Sequence, residues 1–206
     1  MDDGEAALAG ETLAIYEREA IRFDAGRSRA LFERGWLDRL TRGLPPDAPV
    51  LDVGCGAGEP IAGHLIGAGF RLTGVDGARA MLSLARARWP EARFVEADMR
   101  TLDLGSRYAA VLAWDSFFHL TADEQRGTLP RLAAHVSPGG RLLLTVGPQE
   151  STAIGRVGES AIFHASLALS EYAAILERAG LAIVAFIARD ETAGGHTVLL
   201  AERAAG

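Results

Sequence analysis

The chain predicts an α/β architecture, a sheet parallel through most of its width, covered by helices on both faces and ending in an antiparallel hairpin. Three observations predict it. The stretch Val50-Leu51-Asp52-Val53-Gly54-Cys55-Gly56-Ala57-Gly58-Glu59-Pro60 is an apolar run that meets an acid, then three glycines at alternate positions, then an apolar-periodic segment. That pattern reads as strand, tight turn and helix. Acids recur where apolar runs end: Asp76 lies 22 residues after Gly54, and Asp98 another 22 residues on. Finally, the last two apolar runs are separated only by residues 189–195, whereas a parallel crossover takes a dozen or more.

Composition narrows the function. With 206 residues, 49% of them hydrophobic, the chain can bury a full core, and one domain over 1–206 is expected, with a helical cap at 1–45 and a core at 48–203. A net charge of -6 argues against a general nucleic-acid or anionic-membrane binder. All 21 basic residues are arginine, so a phosphate loop lacks its lysine and a lysine Schiff base is excluded. The single cysteine, Cys55, excludes an intrachain disulfide or thiolate metal cluster, and five scattered histidines (64, 119, 135, 164, 196) lack ligand spacing; no metal is expected. No signal peptide or membrane-spanning run is seen, so a soluble cytoplasmic protein is expected.

In chain order, residues 1 to about 45 read as helical from the spacing of Leu13, Tyr16, Ala20, Leu31, Trp36, Leu37 and Leu40, with a break at 23–28. Its interleaved charges suit a solvated face; equally, Tyr16, Phe23 and Arg27 suit a cap over a pocket. Gly43-Leu44-Pro45-Pro46 stops the helix. After the first strand and its glycine turn, a helix over about 59–68 leads to a second strand over 70–76 that ends in Asp76. Met81 and Leu84 lie on the next helix, and Ala92–Glu96 forms the third strand, followed by Asp98 and Met99. Tyr108–Trp114 is a continuous apolar run, as expected of a strand buried on both faces. It opens into Asp115-Ser116-Phe117-Phe118-His119-Leu120. Thr121 caps a helix to about Val136, which Pro130 should kink, and Ser137-Pro138-Gly139-Gly140 turns into a strand at Arg141–Val146. Residues 147–169 show no periodicity and are expected to form a lid or substrate wall, with Phe163 and His164 as contributors. Ser170 caps a helix over 171–179 that turns Tyr172, Ile175 and Leu176 inward, and strands at 181–188 and 196–202 close the chain.

The glycine turn distinguishes two ligand classes. A dinucleotide fingerprint, G-x-G-x-x-G, needs a small third residue, but Glu59 stands there. The motif is instead D-x-G-x-G-x-G, and a carboxylate at Asp52 suits a ligand with an ammonium group better than a pyrophosphate. Asp52 to Gly58 resembles the first motif of the class I S-adenosylmethionine (SAM) dependent methyltransferases. The resemblance covers residues 48 to about 203 and implies a Rossmann-like seven-stranded sheet of order 3-2-1-4-5-7-6 with strand 7 antiparallel.

It further implies SAM as cofactor and S-adenosylhomocysteine as product, with Asp52, Gly54, Cys55, Gly56 and Gly58 at the methionine end. Asp76 and Gly77 would meet the ribose, Met81, Asp98 and Met99 the adenine, and Tyr16 and Trp114 would complete the cofactor site. The loop after the fourth strand should border the reactive methyl group. His119 is then the first candidate for a general base, since imidazole titrates near neutrality, followed by Asp115 and His164. A small-molecule acceptor methylated on oxygen or nitrogen is expected, with no nucleic-acid or membrane partner; the oligomeric state is left open. The alternatives are a non-catalytic SAM-binding or interaction domain and an NAD-dependent oxidoreductase, the latter opposed by Glu59, Asp52 and the terminal hairpin.

Overall fold

The computed structural model describes residues 3–206. Two helices, α1 (Asp3–Gly10) and α2 (Thr12–Gly26), precede α3 (Arg34–Leu40). The expected break at 23–28 falls later: residues 23–26 complete the last turn of α2, and the chain leaves the helix at Arg27. The sheet begins with β1 (Pro49–Val53), and α4 (Ile61–Gly67) follows the glycine turn. Next come β2 (Arg71–Asp76), α5 (Arg79–Arg88), β3 (Arg93–Glu96) and β4 (Tyr108–Ala113). The helix α6 (Ala122–Ala134) starts in a capping box, in which Thr121 and Glu124 satisfy each other's backbone N–H, and it continues through Pro130.

The next strand, β5 (Val136–Val146), is longer than expected. Tyr108 pairs with Val136 but Ala110 with Arg141, so the Ser137–Gly140 turn is taken up as a bulge within the strand. Residues 147–169, expected as an irregular lid, contain a hairpin, β6 (Ser151–Val157) and β7 (Ser160–Ser166). Val157 pairs with Ser160 across the two-residue loop Gly158-Glu159, and Gly158 has the positive φ, 58°, that such loops favour. The helix α7 (Leu169–Arg178) is capped by Ala168 without a side-chain bond, so Ser170 lies inside its first turn rather than at its cap. Tyr172, Ile175 and Leu176 are buried as expected. The strands β8 (Leu181–Asp190) and β9 (His196–Arg203) end the chain.

The seven-stranded sheet runs β3-β2-β1-β4-β5-β9-β8, with β9 antiparallel to both neighbours. Leaving out the inserted β6–β7 pair, which forms its own sheet, this is the order the resemblance implied. Alternation along the strands explains the two packed layers. Leu51, Val53, Val111, Leu142, Leu144 and Leu199 face α6 and α7, whereas Val50, Ala110, Leu112, Leu143, Val198 and Leu200 face α3 and α4. Among the described residues, no helix is long and apolar enough to cross a membrane.

Candidate active site

The C-terminal ends of β1, β2 and β4 open into a cavity covered by α1 and α2, with about 1140 Å³ of space between atoms, its mouth included. Such a position, outside the carboxyl ends of parallel strands, is where open α/β sheets bind ligands. The floor is the glycine turn. Gly54 has φ of 76°, and a Cβ there would lie 2.3 Å from Cβ of Ser116, whose Oγ donates to the Val53 carbonyl at 2.7 Å. Only glycine fits both constraints. Gly56 and Ala78 donate their amides to the two oxygens of Asp76, each at 2.8 Å, which fixes that carboxylate at the cavity wall. Burial nevertheless leaves its carboxyl above the ordinary range, the amides opposing.

Asp52 is 2% exposed; burial, with Asp76 adding to it, pushes its carboxyl up to about 7 against the opposing charge of Arg27. Cys55, Gly58, Gly77 and Met81 border the same cavity. The Cys55 thiol, however, packs on Leu82, Ala85 and Phe94, so that residue offers the cavity its backbone, and burial raises the thiol well above its usual value. Leu84 packs beside Met81 without lining the cavity. Asp98 and Met99 stand together on the wall with Arg100 and Glu124. Burial would raise the Asp98 carboxyl, but its bonds from Arg100 prevail and hold it below the usual range.

At the other end, Tyr16 and His119 meet across 103 residues of sequence, Tyr16 Oη 2.9 Å from His119 Nε2. His119 Nδ1 lies 3.2 Å from the Phe163 carbonyl, which can only accept. The tautomer follows: Nδ1 carries the proton, and the Tyr16 hydroxyl donates to Nε2. Burial and the neighbouring His164 lower the imidazole to about 4, opposed by the Phe163 carbonyl and Asp115. Burial, then Asp115 and Asp76, raise the Tyr16 phenol. Both groups are therefore neutral at pH 7.

Two expectations are corrected here. His164 does not line the cavity; its ring stands behind His119 at 4.9 Å between centroids and against Phe118 at 4.8 Å. Phe163 is fully buried and packs on Ala9 and Ala165, because β7 turns it toward α1 instead of the ligand. The hairpin acts on the site from behind, through the Phe163 carbonyl and the His164 ring on His119 and through Val157 and Ile162, which pack with Tyr16 and Phe23.

Asp115, after β4, has φ of 52° and its amide bonds to Thr145 Oγ1 at 2.8 Å. One of its oxygens receives Arg27 at 3.3 Å, and the other lies 2.7 Å from His196 Nε2. Burial opposes ionisation, but His196 and Arg27 outweigh it and keep the carboxyl below the usual range. Arg27 is also 4.0 Å from Glu33, which is 3% exposed and has its carboxyl raised by burial. Trp114 lines the cavity and holds its ring 5.3 Å from that of His196. The cap is tied down by Asp24 of α2, which receives Arg88, itself donating to the Ala57 carbonyl in the glycine turn at 3.0 Å, and Arg29 at 3.0 Å. The Thr12 hydroxyl, also in the wall, is buried without a hydrogen-bond partner.

Sequence reasoning missed His196, Arg100 and Asp24. A signal existed for His196: it opens a strand expected to be antiparallel, whose first residue must lie at the ligand end of its parallel neighbours. Among the described residues, no group of histidine, cysteine and carboxylate side chains is arranged to hold a metal ion.

Comparison with known proteins gives the same fold and likens part of the chain to methyltransferases. Residues 50–140 match a family model described as a methyltransferase domain. Over 103 residues the chain is 39% identical to a dTDP-3-amino-3,6-dideoxy-alpha-D-glucopyranose N,N-dimethyltransferase of Streptomyces fradiae, covering 49% of this chain and 40% of that protein. It is 35% identical over 112 residues to a trans-aconitate 2-methyltransferase of Delftia acidovorans, covering 52% and 41%. The chain thus spans about two fifths of the length of these curated relatives. Among solved structures, SAM-bound CalS10, an amino pentose methyltransferase from Micromonospora echinaspora, superposes with a TM-score of 0.70 at 26% identity, over 90% of this chain and 95% of that one.

Proposed function

We propose, from the premise that this chain belongs to the class I SAM-dependent methyltransferases, that it moves a methyl group from SAM to a nitrogen or oxygen of a small acceptor and releases S-adenosylhomocysteine. The observation that carries the reading is a single cavity lined by Asp52, Asp76 and Asp98, one from each of three successive βα units, with the Tyr16–His119 pair at its other end.

The residues present fit the cofactor. The glycine turn lines the cavity with open space beside it, nothing lying within 4 Å of a Cβ added at Gly56, and the Thr12 hydroxyl in the same wall is a buried polar group without a partner. Asp52 and the turn would hold the amino-acid end, Asp76 the ribose hydroxyls, and Asp98 with Met99 the adenine. When bound, SAM supplies a methyl group already activated on a positively charged sulfur. What remains for the protein is to hold the acceptor in line and exclude water, which is worth several kcal/mol of the barrier.

The roles of the chain's own groups follow from their protonation. His119, neutral with a free acceptor position at Nε2 once the Tyr16 hydroxyl turns away, orients an N–H or O–H of the acceptor; at about 4 its imidazole is too weak a base to hold a proton at neutral pH. Asp115, ionised between Arg27 and His196, is no stronger a base, its carboxyl lying below the usual range, and is the group suited to stabilise a cationic product by its charge. An amine acceptor is favoured by this carboxylate. A second reading, methylation of a carboxylate oxygen, is favoured by the Arg27 guanidinium in the cavity wall. Residues 1–45 act as the cap and 48–203 as the core of one domain, and the free thiol of Cys55 suits a reducing, cytoplasmic setting.

Calorimetric titration with S-adenosylhomocysteine, NADH as control and Asp76→Ala alongside tests the cofactor; micromolar binding of the first alone, weakened by the substitution, is expected. Binding of NADH, or of neither, would overturn the reading. Release of S-adenosylhomocysteine with panels of small amines and of small carboxylates then separates the two acceptor classes.

A further inference from the structure

Asp98 caps a short 3₁₀ turn, Met99–Thr101, by accepting the Arg100 amide on Oδ1 at 2.9 Å. The Arg100 side chain then folds back onto the same carboxylate. Its Nε lies 3.0 Å and 2.8 Å from the two oxygens, and a terminal nitrogen donates to Oδ2 at 2.6 Å. The other terminal nitrogen donates to Glu124 Oε1 at 2.8 Å. Glu124 is itself fixed, since its second oxygen accepts the Thr121 amide at 2.8 Å in the capping box of α6. A planar guanidinium held at both ends has one orientation, and so has the carboxylate it grips.

The count of lone pairs gives this clamp a consequence. A carboxylate offers about four acceptor positions, and Arg100 takes three with its amide, Nε–H and one terminal N–H, the Nε–H being shared between the two oxygens. At most one position is left for a ligand, and Asp98 and Arg100 both line the cavity. A carboxylate held ionised by a guanidinium accepts a hydrogen bond and cannot donate one. It therefore receives an exocyclic amino group and repels a carbonyl oxygen presented at the same place.

We propose that Arg100 is a positioning residue that sets the base selectivity of the nucleoside end of the cavity, fixing Asp98 so that the site takes a 6-amino purine and rejects its 6-oxo counterpart. The inference rests on the cofactor reading above. It differs from an adenine-binding role for Asp98 alone, because without the Arg100 side chain the carboxyl keeps only the backbone amide on Oδ1, loses the bonds that orient Oδ2 and is easier to protonate, and a protonated acid can donate to a carbonyl.

The test compares two probes, S-adenosyl-L-homocysteine and S-inosyl-L-homocysteine, which differ by an amino group against a carbonyl at one ring position. Binding of each is measured by calorimetry to the full chain, to Arg100→Ala and to Arg100→Lys, with circular dichroism and melting curves to verify folding. Arg100 is about a third exposed, so both variants are expected to fold. The unaltered chain should prefer the adenosyl compound by about tenfold or more, the size of one hydrogen bond to a charged group. Arg100→Ala should narrow that ratio to within about threefold, and Arg100→Lys, which keeps the charge but not the fork, should lie between. An unchanged ratio in both variants, or no preference in the unaltered chain despite binding, overturns the proposal. If the unaltered chain binds neither probe, the cofactor reading itself falls.

Discussion

His196 holds its Nδ1 2.6 Å from the carbonyl of Ala193 while its Nε2 lies 2.7 Å from Asp115 Oδ1. A carbonyl can only accept, so Nδ1 carries a proton, and the carboxylate beside Nε2 favours a second proton on the ring. Asp115 is thus the main cause of the raised pKa of this imidazole. Because β9 is antiparallel, this residue from the end of the chain meets Arg27 from its beginning on one carboxylate in the cavity wall.

His196 is expected to titrate above the ordinary histidine value of about 6.5, and to fall back when Asp115→Asn removes its partner. The proton is bound more tightly in the folded state, so the associated stability is complete below about pH 6.5 and is lost as pH rises through the folded value. Imidazole chemical shifts, assigned with His196→Gln, read this directly. The stability gap between His196→Gln and the unaltered chain should be about 1 kcal/mol at pH 6 and close at pH 9. A His196 shift that is indifferent to Asp115→Asn would sink the pairing.

Asp52 should show how much stability the ligand site gives up. Its carboxyl, raised to about 7 by burial, favours the protonated form in the folded chain, so this stabilising effect is present below the unfolded value near 4 and is lost as pH climbs through 7. Asp52→Asn should thus stabilise the chain at pH 8, by roughly 2 kcal/mol or more, and leave it nearly unchanged at pH 4. It should also weaken S-adenosylhomocysteine binding under the proposed function. Melting curves of the two proteins across this range check it; a variant that is less stable at pH 8 contradicts the assignment.

What could be read in advance depended on whether the signal was local. The glycine turn was legible because Gly54 and Gly58 adopt φ values that only glycine takes easily, and the antiparallel end because seven residues cannot span a crossover. The β6–β7 hairpin was not, since most of β6 is exposed on both faces and carries no apolar alternation; only its pairing with β7 makes it a strand. The same blindness explains His164. Nothing in Phe163-His164 tells which of the two faces the cavity, and neither does. The grip of Arg100 on Asp98 spans two residues, yet its meaning depends on Glu124 of another helix, 24 residues on, which no spacing rule announces.

Gly54→Ala should be far costlier than alanine at a glycine with positive φ and open surroundings. At Gly105, φ is 60° and nothing lies within 4 Å of an added Cβ, so only the left-handed backbone penalty of about 1 kcal/mol applies. At Gly54 the same penalty is joined by the collision with Ser116, for a total of roughly 3 kcal/mol or more. Adding Ser116→Gly should recover part of the loss, apart from the Oγ bond to the Val53 carbonyl, and chemical denaturation of the three variants measures the coupling. Equal costs at positions 54 and 105 would contradict the geometry.

The last prediction concerns the hold of the cap. Asp24 is 8% exposed and receives Arg88 and Arg29, and the bonds from Arg88 are the main reason that its carboxyl lies below the usual range. Arg88 alone also reaches the glycine turn, through the Ala57 carbonyl, so it is the side chain that joins α2 to the cavity floor. Arg88→Ala leaves Asp24 with Arg29, which bonds within its own segment and cannot anchor α2 to the turn. Amide hydrogen exchange over residues 12–26 should therefore quicken by about tenfold, the effect of losing roughly one charge-assisted bond after solvent screening, while the amides of β4 and β5 keep their protection. Arg29→Ala, by contrast, should change exchange in α2 little. Since Asp24 is held ionised, the contact persists above its unfolded value near 4 and weakens as pH falls through the folded one, so acid should mimic Arg88→Ala in this region. Equal protection of α2 in both arginine variants would show that the apolar packing of Tyr16, Ala20 and Phe23 on α5, rather than the ion pair, holds the cap closed.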